Sequence, residues 1–472
     1  MKRILLSCMS LILIFGAVKA QDYGTYYKNL PVAMPQTTTP TIPGNVVNLK
    51  DFGGKGDGVT LNTDAFKKAI SSLEKKGGGK LIVPEGIWMT GLISMKDNIE
   101  LHIEKNAIVM AAPEKSIFIK EKDGKKDAKC SPLISASKRK NIAITGSGVI
   151  DGNGAQWRPV KRSKVSDVEW NEFKRMGGTE TEGGKLWFPF NLKHYDNIAA
   201  TPEAQEKMRT HLIRFTDCEN VMVKGVTLQN SPKFHLIPTR CKNVIIDGIL
   251  VRCPWNAQNG DAIDISSCKD VLIVNNTVDA GDDGICMKAG AGKAGVGYGP
   301  CENILIENNT VFHAHGGFVI GSEFTGGMKN IVVRNNRFSG TDTGLRFKSG
   351  IGRGGKTENI YISNIYMTDI KNEAIIFECT YIDRKYSVKD DKQAETVVKD
   401  APFAPEFTDI HFSDIVCRNA KTAVSAHGLS GLKCVHGITI DNSTFFYTEK
   451  DKDLGEDVEL KITNSKFVTF DR

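Results

Sequence analysis

The stretch Cys218-Glu219-Asn220-Val221-Met222-Val223 recurs as Cys241-Lys242-Asn243-Val244-Ile245-Ile246, Cys268-Lys269-Asp270-Val271-Leu272-Ile273 and Cys301-Glu302-Asn303-Ile304-Leu305-Ile306. Without the cysteine the pattern also stands at Lys140-Asn141-Ile142-Ala143-Ile144, Lys329-Asn330-Ile331-Val332-Val333 and Glu358-Asn359-Ile360-Tyr361-Ile362. From Asn220 onward the Asn or Asp advances by 23, 27, 33, 27 and 29 residues. Each unit is a turn residue followed by alternating branched apolar side chains, and no 3.6-residue apolar period accompanies it. Repeats of this length and period are coils of a solenoid whose loops vary in length. The expected fold class is therefore all-β: a right-handed parallel β-helix (solenoid) with a short N-terminal capping helix.

Asparagine suits the turn before each strand because it tolerates left-handed backbone angles and bonds its own chain. The cysteines two places before it would stack from coil to coil at about 4.8 Å, either as an inert ladder of small apolar groups or as disulfides. Open solenoid ends leave strand edges unpaired, so a cap is expected at each. Thr63 is placed to N-cap a helix with Ala65, Phe66, Ala69, Ile70 and Leu73 on one face, stopped by Gly77-Gly78-Gly79.

The chain has 472 residues, 40% hydrophobic and 25% charged, which excludes a disordered, collagenous or multi-span membrane protein. Met1 to Ala20 has a basic start, an apolar run and a small-residue end, and reads as a signal peptide. Its loss with Lys2, Arg3 and Lys19 lowers the formal charge from +7 to +4. No basic stripe with interleaved aromatics marks a nucleic-acid binder, whereas a mild positive charge is compatible with an acidic substrate. The expected organisation is a signal peptide at 1–20, an N-terminal extension at 21–45 and one β-helix domain at 46–472. A loop insertion at about 157–211 carries Arg158, Lys161, Arg162, Lys164, Trp170, Trp187, Phe188 and Phe190, and either lines a sugar groove or packs on itself.

Four segments depart from plain strand and turn: Asn259-Gly260-Asp261, Gly281-Asp282-Asp283-Gly284, His315-Gly316-Gly317 and Arg346-Phe347-Lys348. Asp261 to Asp282 is 21 residues, Asp283 to His315 is 32 and His315 to Arg346 is 31, each close to one coil. Residues one coil apart share a wall, so three carboxylates, an imidazole and two cations would converge on one groove. Clustered carboxylates repel, so at least one should keep its proton to a higher pH and stand as an acid beside a base. Arg346 and Lys348 alternate with Phe347 and so point outward together, a pair suited to a substrate carboxylate.

With these motifs in hand, the chain resembles glycoside hydrolase family 28, the polygalacturonases, over nearly all its mature length. Asp51-Phe52-Gly53-Gly54-Lys55-Gly56-Asp57-Gly58 with Asn62-Thr63 resembles that family's β-helix opening. The resemblance implies that Asp282 is the general acid, that Asp261 and Asp283 activate water, and that His315 supports the acid and contacts sugar. It implies that Asn259 binds substrate, and that Arg346 and Lys348 grip the galacturonate carboxylate. Tyr381 is a further substrate contact, with Phe377 as the alternative. Inversion of configuration without a metal or other cofactor is implied too. Ala314 before His315 and Gly260 within the first motif depart from the commonest endo-acting pattern, and Gly321-Ser322-Glu323 resembles the exo-acting branch.

The expected protein is thus an exported monomer, periplasmic or extracellular, without a membrane span, that cleaves α-1,4-galacturonosyl linkages in pectin from a chain end. Alternatives are a rhamnogalacturonan or substituted-galacturonan hydrolase of the same family, a calcium-dependent pectate lyase, and a non-catalytic carbohydrate-binding solenoid.

Overall fold

The computed structural model describes residues 22–122, 125–181, 183–189, 206–381 and 401–469. The expected signal peptide and Phe190 lie outside them. Thirty-one strands join into one continuous sheet that coils as a parallel β-helix with three stacks. In the first stack Val221 pairs with Val244, Val244 with Val271, Val271 with Ile304 and Ile304 with Ile331. Because the register repeats, inward branched side chains lie over one another in a single core running the length of the solenoid.

The turn residue of the repeat has a physical basis. Asn220, Asn243, Asp270, Asn303, Asn330 and Asn359 have φ of 56°, 55°, 59°, 57°, 53° and 54°, the left-handed region where Asn and Asp cost least. Their side chains do not bond their own turn as expected. Each reaches the neighbouring coil: Asn243 donates to Asn220 at 2.8 Å, Asn303 to Asp270 at 2.8 Å, Asn330 to Asn303 at 3.0 Å and Asn359 to Asn330 at 3.0 Å. A second amide ladder is buried. Asn309 Oδ1 accepts from the Asn276 backbone at 3.0 Å and from its amide at 2.8 Å, while Asn309 donates to Asn336 Oδ1 at 3.0 Å.

All ten described cysteines are free. Of the two readings of the Cys218, Cys241, Cys268 and Cys301 column, the inert ladder is the one observed, with the Cys241 N–H donating to Cys268 Sγ at 3.3 Å. Burial pushes the Cys301 thiol up to about 12, so it stays protonated.

The capping helix spans Thr63–Lys75 and buries Ala65, Phe66, Ala69, Ile70 and Leu73. Its cap residue is Asn62, not Thr63. The Asn62 side chain ties the preceding loop instead of the helix, accepting from Lys55 N at 2.8 Å and donating to Thr60 O at 2.8 Å. Thr63 Oγ1 is occupied as acceptor for the Gly91 N–H at 2.7 Å. The N-terminal extension crosses the outside of the first stack, where Tyr23, Tyr26, Tyr27, Leu30, Val32 and Met34 cover Ile245, Leu272, Leu305 and Val332. Tyr23 OH donates to Asp247 at 2.8 Å, and the Thr38 N–H donates to Asn243 at 2.8 Å.

The insertion packs on itself and also reaches the groove. Strands Val160–Lys161, Thr179–Thr181 and Leu186–Phe188 form a small antiparallel sheet beside a helix at Asp167–Arg175. Val160, Trp170 and Trp187 are its core. Arg158 is an anchor rather than a groove residue, buried against Ser231 O at 2.6 Å and Asn230 at 2.8 Å. Among the described residues no helix is long and apolar enough to cross a membrane.

Replacing Asn309 by Ala leaves the buried Asn276 backbone N–H without its acceptor, at about 1–3 kcal/mol, while Asn336 Oδ1 keeps the backbone N–H of residue 309. The apparent melting temperature should fall clearly, while dithiothreitol should not move it in the unsubstituted protein; a reductant-induced drop of several degrees would contradict the free-thiol ladder.

Candidate active site

The third stack carries the chemistry. Ile263–Ser266, Ile285–Lys288, Gly316–Gly321, Thr343–Lys348 and Glu373–Glu378 pair in succession. Ile263, Ile285, Phe318, Leu345 and Phe347 point inward and are buried, which turns their neighbours outward. One outward column reads Asp264, Cys286, Val319, Arg346 and Ile376. The next reads Ser266, Lys288, Gly321, Lys348 and Glu378. The turns just before these strands are tied by backbone bonds, Ala262 N to Asp283 O at 3.0 Å and His315 N to Asp282 O at 2.8 Å.

This stacking brings Asp261, Asp282, Asp283, His315, Arg346 and Lys348 to one place. Lys348 Nζ donates to Asp283 Oδ2 at 2.7 Å, and Arg346 lies 3.8 Å from Asp283 Oδ1. His315 Nδ1 is 2.8 Å from Asp282 Oδ1. Tyr381 closes one side, its ring centroid 5.6 Å from the Arg346 guanidinium carbon and 5.2 Å from Lys348 Nζ. Phe377, the alternative to Tyr381, is buried in the core and stacks on Phe347 at 4.5 Å. Asn259 sits at the rim with its side-chain oxygen accepting from the buried Arg209 at 2.8 Å.

The carboxylates are driven apart in proton affinity. Burial raises Asp261 well above the usual range, and Asp264 and Asp282 add to it. Burial also pushes Asp264 up to about 7 against the opposing pull of Lys288. Asp283 is equally buried, yet Lys348, Lys288 and Arg346 hold it well below the usual range. For Asp282, burial is overcome by the His315 hydrogen bond, with Lys348 assisting, and the net shift is downward. An acid beside a base is therefore present, but the raised carboxylates are Asp261 and Asp264, not Asp282, because Asp282 has an imidazole partner and they do not.

Several groups at this site escaped the sequence reading. Asp264 and Lys288 are outward residues between inward apolar ones, a signal present in Ile263-Asp264-Ile265 and Met287-Lys288-Ala289. Asp342 follows His315 by 27 residues, one coil, and approaches its Nε2 at 3.8 Å. Lys164, one of the insertion residues weighed for a sugar groove, does reach the site and hydrogen-bonds His315 Nε2; only its partner was not announced by the local sequence. Gly321 matters by what it lacks: at φ +111°, a Cβ there would stand 1.9 Å from Lys348 O. Its own carbonyl accepts from Lys288 Nζ at 3.1 Å.

Asp282, Asp283 and His315 offer ligand atoms within 4.8 Å of one another, a spacing that could hold a metal ion. His315 already bonds Asp282 and the Lys348 ammonium already neutralises Asp283, so a cation there would have to displace both. Two clefts flank the cluster. One of about 610 Å³ is lined by Lys161, Arg162, Ser163, Lys185, Leu186 and Gln258. The other, about 420 Å³, runs past His315 and Arg346 to Glu373, Glu378 and Asp453.

A family model described as glycosyl hydrolases family 28 matches residues 166–462. The chain is 28% identical to a probable polygalacturonase of Vitis vinifera over 86% of this chain and 75% of that protein. It is 27% identical to an exo-poly-alpha-D-galacturonosidase of Dickeya chrysanthemi over 75% of this chain, spanning 60% of that protein's length. Among solved structures it resembles a hyperthermoactive exopolygalacturonase from Thermotoga maritima, with 30% identity, TM-score 0.73 and coverage of 92% and 94% of the two chains.

Lys348→Met strands a buried carboxylate and should cost about 3–5 kcal/mol at neutral pH. Asp283 has a depressed folded pKa, so the stability it contributes is present above the ordinary carboxylate pKa and lost as pH falls. In the variant the unpaired, buried Asp283 can relieve the penalty by taking up a proton, so the cost of Lys348→Met should shrink from pH 7 toward pH 4, and Asp283→Asn should recover most of it in the double variant. Equal losses in melting temperature at both pH values would refute the pairing.

Proposed function

The chain belongs to glycosyl hydrolases family 28 and is a glycoside hydrolase, and on that premise we propose that it hydrolyses α-1,4-galacturonosyl linkages of pectin, inverting the anomeric centre and releasing units from a chain end. The observation that carries the reading is the convergence of Asp261, Asp282 and Asp283 beside Arg346 and Lys348 on one outward face. Lys348 and Arg346 take the carboxylate of the galacturonate at the cleavage point, and Tyr381 stands beside them. Asp282 donates a proton to the departing glycosidic oxygen. Asp283, the carboxylate held ionised, accepts a proton from the water that attacks the anomeric carbon from the opposite face, and Asp261 beside it orients that water.

Asp282 is ionised in the free state, so its proton depends on what binds. A substrate carboxylate drawn to Lys348 offsets a positive charge that now lowers Asp282, and a buried leaving oxygen removes the last water around it. Both changes move Asp282 upward, toward the protonated form that an acid needs. His315, bonded to Asp282 at 2.8 Å, is the adjacent group that holds and orients that acid.

Release from a chain end is supported by Gly321-Ser322-Glu323 and by the exo-acting names of the Dickeya and Thermotoga relatives. Export, to the periplasm or beyond, is part of the same proposal and rests on the leader-like segment at 1–20.

One observation favours a second reading. The cleft beyond Arg346 presents Asp342, Glu373, Glu378 and Asp453, which repel a continuous run of galacturonates. A neutral or esterified sugar fits there, as in a rhamnogalacturonan or substituted galacturonan.

Incubation with de-esterified polygalacturonan should yield free galacturonic acid from the first minutes, with no rise in ultraviolet absorbance and an unchanged rate in EDTA. Asp282→Asn should fold normally and lose at least about 10²-fold in turnover. A descending series of oligomers would refute chain-end release. Cleavage of rhamnogalacturonan or methyl-esterified chains in preference would select the second reading.

A further inference from the structure

We propose that Trp255 and Lys371 form a sugar-binding platform beside the acid cluster, taking a uronate-bearing pyranose of the substrate at least one unit away from the bond cleaved; this rests on the galacturonan reading above. Trp255 is 62% exposed, whereas Trp88, Trp157, Trp170 and Trp187, the other tryptophans of the chain, are 0–6% exposed. One ring face is occupied. It stacks on His313 with centroids 4.5 Å apart and planes 9° from parallel, which leaves the opposite face to solvent.

The platform is held firmly. His313 is buried, and its Nδ1–H donates to Ala280 O at 2.7 Å, so Nε2 is left as an acceptor for Lys371 Nζ at 3.3 Å. Lys371 is half exposed, lies 5.9 Å from the Trp255 ring centroid and bonds Asp342 Oδ1 at 2.9 Å. The turn bearing Trp255 sits directly on the acid turn: a Cβ on Gly281 would stand 2.6 Å from both Pro254 O and Ala257 O. Asp342 then leads to His315 at 3.8 Å and His315 to Asp282 at 2.8 Å. The open ring face is thus fixed relative to Asp282 before any ligand arrives, and binding need not immobilise it.

The chemistry of the pair selects its ligand. A pyranose has a face of C–H bonds that can leave water against an aromatic ring while its hydroxyls stay solvated at the edge. The ammonium beside the ring adds attraction for a carboxylate. One isolated ring is far smaller than the few hundred Å² of apolar surface that marks a protein-docking patch.

Because Trp255 is the one solvent-accessible tryptophan, intrinsic fluorescence reports it. In Asp282→Asn protein, oligogalacturonates of increasing length should shift the emission to the blue and saturably reduce quenching by acrylamide, and Trp255→Ala in the same background should abolish both changes. In the active protein Trp255→Ala should raise KM for polygalacturonan about tenfold with kcat changed less than twofold, and shrink the KM advantage of long substrates over the shortest one cleaved; Trp255→Phe should restore most of it. An active enzyme whose KM ignores Trp255→Ala and whose fluorescence ignores saturating oligomer overturns the platform alone. Fluorescence changes without cleavage uphold the platform and overturn the galacturonan hydrolysis. Neither binding nor cleavage overturns both.

Discussion

Everything at the site depends on the parallel register between successive coils. Ile263 lies on Ile285, Ile285 on Phe318 and Phe318 on Leu345, and these inward pairings fix where each outward neighbour emerges. A slip of one residue in the Thr343–Lys348 strand would bury Arg346 and Lys348 and expose Phe347, because side chains alternate faces. The register is itself held by the turns. Left-handed Asn and Asp residues start each strand at the same phase, and the Asn276–Asn309–Asn336 ladder ties the next corner from inside. The catalytic geometry is thus an output of turn chemistry that lies on a different edge of the solenoid.

Within that frame the carboxylates are unequally partnered: both Asp264 oxygens and Asp261 Oδ1 are buried without a hydrogen-bond partner, whereas Asp283 and Asp282 are bonded. Lys348 and Arg346 neutralise Asp283, His315 holds Asp282, and Lys288 faces Asp264 and Asp261. Burial lowers the affinity of Lys288 for its proton, but the surrounding acids more than offset it and keep it a cation. The two cations assigned to the substrate are therefore not idle in the free protein. On the proposed role, a substrate carboxylate would compete with Asp283 for Lys348, which would link binding to a change in the proton balance of the acids. Gly321 makes this possible, since any side chain at its rung would fall on the backbone of Lys348.

The fold was legible because its two determinants are local. The period-2 alternation and the turn residue before each strand appear in any six-residue window, and the coil spacing follows from counting. The acid, imidazole and cation motifs were legible for the same reason, since one coil of separation in sequence is one rung in space. Asp342 obeyed that rule and was passed over, and Asp264 and Lys288 were hidden between isoleucines and methionine that drew the eye to the core. The partner of Lys164 was out of reach in principle: it depends on where a self-packed insertion lays its helix and strands against the solenoid. The cap assignment failed more narrowly. Both Asn62 and Thr63 are good cap residues, and which one serves was decided by long-range partners, Lys55 for one and Gly91 for the other.

The outer face of the first stack shows how a violated pattern carries information. Strict alternation would place polar residues at 245, 272, 305 and 332, yet the chain has Ile245, Leu272, Leu305 and Val332, one per coil. Four apolar groups in a column would expose a continuous greasy stripe, which a soluble surface rarely tolerates. The stripe is a demand for cover, and the N-terminal extension meets it with Tyr23, Tyr26, Tyr27, Leu30, Val32 and Met34. Its polar contacts fall on the ladder rung Asn243, on Asn275 and on Asp247. The extension therefore locks several coils at once, and it does so on a face away from the groove, where ordering it costs the site nothing.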